Sequence, residues 1–211
     1  MTAISTDESA PVAADLTQQI RDAILRGDFV PHQRLIEADL SERFIATALL
    51  NLANGGLVER LPNRGARVRA ISVAEAVEIV EVRVGLESLC ARKAAENADD
   101  DAIADLRGLR VAIVDAVERG DLLEYSRLNQ EMDRQVRDLS GHATATQLLE
   151  RLRAQSARHQ FRLAFHPGRA GQSAPEHIAI IDAIIAKDPD AAEAATRAHL
   201  QGIVEVLHTL D

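Results

Sequence analysis

At residue 71 the hydrophobic period of the chain switches from the two of a strand to the roughly 3.6 of a helix, and it stays there to the end. Just before the switch, Leu57-Val58-Glu59-Arg60-Leu61 and Ala66-Arg67-Val68-Arg69-Ala70 alternate like paired strands around the turn sequence Pro62-Asn63-Arg64-Gly65. Just after it, Ser72-Val73-Ala74-Glu75 is a capping box, which predicts a helix from Val73 to about Asn97. Asp99-Asp100-Asp101 opens a second helix, to about Arg119, and Leu122 to Leu139 forms a third, closed by Ser140-Gly141. Thr144 to Phe165 is the fourth, and the capping pattern Ser173-Ala174-Pro175-Glu176 opens the fifth. Asp188-Pro189 opens the sixth, which runs to about Leu210. Aromatics are only 2% of a chain that is 46% hydrophobic, so the core is aliphatic. Short connections between six such helices predict an antiparallel all-α bundle over 71–211.

The N-terminal part reads differently. Residues 1–14 are small and polar and read as a flexible tail. Leu16 to Arg26 carries a helical stripe of Leu16, Ile20, Ala23 and Ile24, ended by Gly27, and Pro31 enforces an extended link. Two further short helices are predicted, Ile36 to Phe44 and Ala46 to Asn54, the second ended by Gly55-Gly56. Three helices and a hairpin are the order of a winged helix-turn-helix domain, here over 15–70. The predicted fold is therefore mainly α, an N-terminal winged helix-turn-helix with a small β-hairpin wing followed by a six-helix bundle.

The net charge of −9 is unevenly placed. Residues 15–70 hold eight arginines against seven acids, and the acidic excess lies beyond them. Arg60, Arg64, Arg67 and Arg69 make a local basic edge that can hold phosphates even on an acidic protein; a solvated strand pair is the alternative. The single cysteine, Cys90, excludes an intrachain disulfide and suits a reducing, cytoplasmic setting. No apolar run of about 18 residues is present to span a membrane, and the N-terminus lacks the order of a signal peptide.

Both ends of Ile20 to Val68 resemble the GntR superfamily of transcription regulators, through Ile20-Arg21-Asp22-Ala23-Ile24-Leu25-Arg26-Gly27, Arg34-Leu35-Ile36-Glu37-Ala38-Asp39-Leu40-Ser41-Glu42-Arg43-Phe44 and Ala48-Leu49-Leu50-Asn51-Leu52-Ala53-Asn54-Gly55-Gly56-Leu57-Val58. The resemblance implies double-stranded operator DNA as partner, with Thr47, Arg64, Gly65 and Arg67 at the interface. A helix-turn-helix lays its second helix in the major groove, and Arg64 with Gly65 matches the family's wing tip. The segment between Phe44 and Ala48, only Ile45-Ala46-Thr47, is about six residues shorter than the family pattern. Either those residues are left out of the sequence as written, or a true deletion cripples specific DNA reading. His32 also departs from the family, which usually has Gly after Pro31.

The C-terminal part resembles the FCD effector domain of the FadR-like branch, through Glu81-Val82-Arg83-Val84-Gly85-Leu86-Glu87, Leu139-Ser140-Gly141-His142, Ser173 to Ile180, and Ala195-Thr196-Arg197-Ala198-His199-Leu200. Many such domains bind a divalent metal through an Asp-x-x-x-His pair on one helix and a His from each of two later helices. The matching positions here are Asn129, Asp133, His177 and His199, with Asn-x-x-x-Asp in place of the usual pair. That set implies a divalent transition metal (Zn, Ni, Mn or Fe). Arg83 is implied to clamp the carboxylate of a small organic-acid effector, the alternative being an intrahelical pair with Glu87. The resulting expectation is a cytoplasmic, homodimeric, ligand-responsive regulator, such as a repressor, and not an enzyme. The alternatives are a dimeric sensor that no longer reads DNA, and a small metalloenzyme using Asp and two His to activate water, for which no general base is placed.

Overall fold

The computed structural model describes residues 9–26, 28–29, 31–35, 42–61, 65–164, 166 and 168–209. The chain divides into two compact units, Met1–Ile71 and Ser72–Asp211.

The first unit contains α1 (Ser9–Arg26), β1 (Arg34–Leu35), α2 (Glu42–Asn54), β2 (Val58–Arg60) and β3 (Ala66–Val68). α1 starts well ahead of the expected Leu16, so residues 9–14, read from sequence as tail, are helical. Pro11 sits in the first turn, where its missing N–H is no loss. The sheet order is β1-β3-β2, all antiparallel, with Leu35 opposite Ala66 and Glu59 opposite Arg67. β1 joins the predicted hairpin as a third, two-residue strand. Ala48, Leu49 and Leu52 of α2 are buried, as are Leu57, Val58, Ala66 and Val68 of the sheet region.

One expectation for this unit is corrected. The sequence suggested separate helices at 36–44 and 46–54, yet α2 runs unbroken from Glu42 to Asn54. Residues 36–41 lie outside the described residues, but 42–44 continue directly into the second helix. Ile45-Ala46-Thr47 holds neither Gly nor Pro and is too short to form a turn, so the backbone stays helical through it. The turn just before β1 explains a sequence oddity. His32 has φ 66°, a left-handed conformation that Gly adopts without cost.

The second unit is six helices: α3 (Val73–Asn97), α4 (Asp100–Glu118), α5 (Leu122–Ser140), α6 (Ala143–Ala164), α7 (Arg169–Ile185) and α8 (Pro189–Leu207). Side chains cap four of them. Ser72 accepts from Glu75 N–H at 3.1 Å, Asp99 from Ala102 at 2.8 Å, Asp121 from Glu124 at 3.0 Å and Asp188 from Ala191 at 3.0 Å. α3 is central and packs against α5, α6, α7 and α8. Leu106, Ile113, Leu149, Ile181 and Ile184 are fully buried in the core. α7 starts at Arg169, not at the Ser173–Glu176 capping pattern. Ser173 instead donates to the Arg169 carbonyl at 3.0 Å inside the helix, and Glu176 turns its carboxylate to Arg169 and His199. Pro175 is accommodated in the helix interior. Among the described residues no helix is long and apolar enough to cross a membrane.

Candidate functional site

The four-residue step of Tyr125, Asn129, Asp133 and Arg137 puts all four on one stripe of α5. Around it, α3 supplies Arg83 and Glu87, α6 Arg153, α7 Arg169, Ser173, Glu176 and His177, and α8 His199. The second unit thus gathers its buried polar side chains from five helices. Two hydrogen-bonded chains result.

The first is ionic. Arg83 donates to Glu87 at 2.9 Å, and Arg153 donates to the same oxygen at 3.2 Å and to Asp133 at 2.6 Å. The Arg83 and Glu87 side chains are only 6% and 12% exposed. Burial alone would raise the Glu87 pKa, but the guanidiniums of Arg83 and Arg153 prevail and hold it at about 2. Burial likewise opposes the Arg153 charge, and Asp133 with Glu87 overcomes it and raises its pKa.

The second chain joins histidines to hydroxyls. His199 Nδ1 donates to Glu176 at 2.7 Å, and Arg169 braces that carboxylate at 3.0 Å. His199 Nε2 lies 3.2 Å from His177 Nε2. His177 Nδ1 is 3.1 Å from the Tyr125 hydroxyl, which is 2.5 Å from Ser173 Oγ. Burial pushes the His177 pKa well below its ordinary value, helped by His199 and Arg169, so this imidazole is neutral. Burial also raises the Tyr125 pKa, keeping the phenol protonated. Asn129 lies beside the Tyr125 hydroxyl, and its Oδ1 is buried with no hydrogen-bond partner among the described residues.

A cleft of about 370 Å³, including its open mouth, adjoins both chains. Glu87, Asp133, Arg137, Arg153 and His199 line it on the polar side, and Met132, Val136 and Ile180 on the apolar side.

Of the expected metal set, His177 and His199 come together, Asn129 lies next to the same Tyr125, and Asp133 stands at the cleft wall against Arg153. Among the described residues no three of His, Cys, Asp or Glu form a group that could hold a metal ion. Arg83 does not line the cleft. It forms the intrahelical pair with Glu87 and acts on the site through that carboxylate. In the first unit, Arg67 is paired with Glu59 at 2.7 Å, and Thr47 is exposed on α2. Gly65 has φ 77°, and a Cβ there would stand 2.6 Å from the Leu35 carbonyl oxygen, so the fold itself demands glycine. Arg64 lies outside the described residues. Sequence reasoning missed Tyr125, Arg153, Arg169 and Glu176. The stripe on α5 was the available signal for Tyr125, whereas no local pattern marks Arg153.

Comparison with known proteins adds an independent line. Residues 78–202 match the FCD domain family. The chain is 26% identical over 201 residues to the HTH-type transcriptional repressor RspR of Escherichia coli K12, covering 92% of this chain and 88% of that protein. It is 26% identical over 215 residues to the HTH-type transcriptional regulator YdhC of Bacillus subtilis, covering 97% and 95%. Among solved structures, Escherichia coli McbR/YncC superposes with a TM-score of 0.78 at 20% identity, over 95% of this chain and 99% of that one. A GntR transcriptional regulator structure from Rhodococcus sp. RHA1 superposes with a TM-score of 0.70 at 20% identity, over 94% and 98%.

Proposed function

Because the chain belongs to the GntR family of transcriptional regulators and carries its C-terminal FCD domain, we propose that it is a homodimeric regulator in which a small organic acid, held with a divalent metal in the helical domain, modulates operator binding. The curated relatives it matches are HTH-type transcriptional regulators rather than enzymes.

The observation that carries the sensing half is the pair of imidazoles. Glu176 can only accept, so His199 carries its proton on Nδ1 and turns the Nε2 lone pair toward His177. Ser173 donates to the Arg169 carbonyl, which leaves its oxygen to accept from Tyr125 and the Tyr125 oxygen to accept from His177 Nδ1. Without an ion the two Nε2 atoms share one hydrogen bond; with the hydroxyls so directed, an ion that replaced it would meet a lone pair on His177 Nε2 as well. Two bonds of about 2.0–2.1 Å to one tetrahedral ion separate their nitrogens by roughly 3.3 Å, close to the 3.2 Å found here. The orphaned Asn129 Oδ1 adds a neutral oxygen, and Asp133 adds charge once it exchanges Arg153. This donor set suits Zn, Ni, Mn or Fe, and an ion held there would supply a Lewis-acid contact for a carboxylate. Glu176 and Tyr125 orient the two imidazoles. Exposed Val111 and Val114 on α4, with Leu122 and Leu123 at the start of α5, provide apolar surface for a dimer.

A second reading, a dimeric sensor that does not read DNA sequence, is favoured by one observation, the unbroken α2 across residues 45–47. Fluorescence anisotropy with the duplex upstream of its own gene separates the two. The first reading expects tighter binding than to a scrambled duplex, weakening steeply with salt. Equal binding to both duplexes favours the second.

A further inference from the structure

We propose that Arg137 is an effector-contacting residue and that the cleft selects organic acids carrying two or more carboxylates. This deepens the effector reading above and rests on it.

Among the described residues, the other buried arginines of the helical domain are already matched. Arg83 is paired with Glu87, Arg153 with Glu87 and Asp133, and Arg169 with Glu176. Arg137 is half-buried at the cleft wall, one turn beyond Asp133 on the α5 stripe. Its guanidinium forms no ion pair or side-chain hydrogen bond among the described residues. Burial disfavours its charge, and the Arg153 guanidinium disfavours it further; Asp133, Glu87 and the exposed Glu150 attract it from a distance. A half-buried guanidinium beside another, with no carboxylate of its own, is stabilised by an anion in the cleft.

Charge balance sets the class of anion. Two guanidiniums, Arg137 and Arg153, and two carboxylates, Glu87 and Asp133, line the cleft and balance one another. A divalent ion between the histidines would leave the cleft with two positive charges, so a monocarboxylate would neutralise only one of them and a second carboxylate the other. One carboxylate then faces the histidine pair, and a second reaches Arg137 bidentately.

Isothermal titration of the full-length protein tests this with succinate and butyrate, which share a four-carbon chain and differ in one carboxylate. Malonate, glutarate, citrate and acetate extend the series, with Zn2+ present and again with a chelator. The wild type should bind one or more of the polycarboxylates at least about tenfold more tightly than the matching monocarboxylate. R137Q should lose most of that preference while keeping monocarboxylate affinity, and R137K, a point charge without the planar fork, should recover part of it. Because Arg137 has no ion pair to lose, R137Q should melt like the wild type. Equal binding of mono- and polycarboxylates, or a preference unchanged in R137Q, overturns the Arg137 assignment and leaves the effector reading standing. Failure of every carboxylate to bind overturns both.

Discussion

Replacing Glu87 by Gln tests whether the ionic chain at the cleft is organised as described. Gln keeps the shape and one acceptor oxygen for Arg83 but removes the charge that two guanidiniums share. Depression of the Glu87 pKa from 4.5 to about 2 corresponds to about 3 kcal/mol of stabilisation of the charged, folded form at neutral pH. The folded pKa lies below the unfolded one, so this contribution is complete above the unfolded pKa and is lost as pH falls through the folded one. Between pH 5 and pH 3 about 2 kcal/mol of it should disappear. The side chain is only 12% exposed, so solvent screens the interaction weakly. Urea unfolding of wild type and E87Q at pH 7, 5, 4 and 3 gives the measurement. At pH 7 the variant should be less stable by about 3–5 kcal/mol, since Arg83 and Arg153 lose the charge between them. The gap should narrow by about 2 kcal/mol on going from pH 5 to pH 3. A gap that is constant with pH, or under about 1 kcal/mol at neutral pH, would refute the reasoning.

Two backbone predictions follow for the first unit. His32→Gly should raise its stability by about 1 kcal/mol, because it relieves a left-handed side-chain-bearing residue at φ 66°; a lowered unfolding midpoint would contradict this. Gly65→Ala should destabilise the same unit by more than about 1 kcal/mol, because φ is 77° and the new Cβ meets the Leu35 carbonyl. Hydrogen exchange at Leu35 and Ala66 should report local loosening in that variant, and unchanged protection would count against the contact.

The bundle was legible because each helix carries its own local signals. Asp99, Asp121 and Asp188 cap where the 3.6-residue period begins, and Gly141 in a left-handed conformation ends α5. Where local signals misled, long-range contacts decided. Ser173 and Glu176 have the spacing of a capping box, but their side chains serve Tyr125, Arg169 and His199. β1 is two residues long and exists only by pairing with β3, so no period could announce it. The family resemblance pointed to His177 and His199, which do meet. It also pointed to Arg83, whose partner Glu87 stands four residues away in the same helix. Arg153 reaches Asp133 and Glu87 from two other helices, an arrangement that depends on packing and not on any spacing within α6.

Calorimetric titration of the chelator-stripped, full-length protein with Zn2+, Ni2+ and Mn2+ bears most directly on the central claim, that the facing imidazoles form a cation site within a sensing cleft. One ion per chain should bind the wild type. H177A and H199A should each weaken binding by tenfold or more, about 1.4 kcal/mol, while retaining helical content. Absence of binding by all three ions, or affinity unchanged in both histidine variants, would contradict the claim.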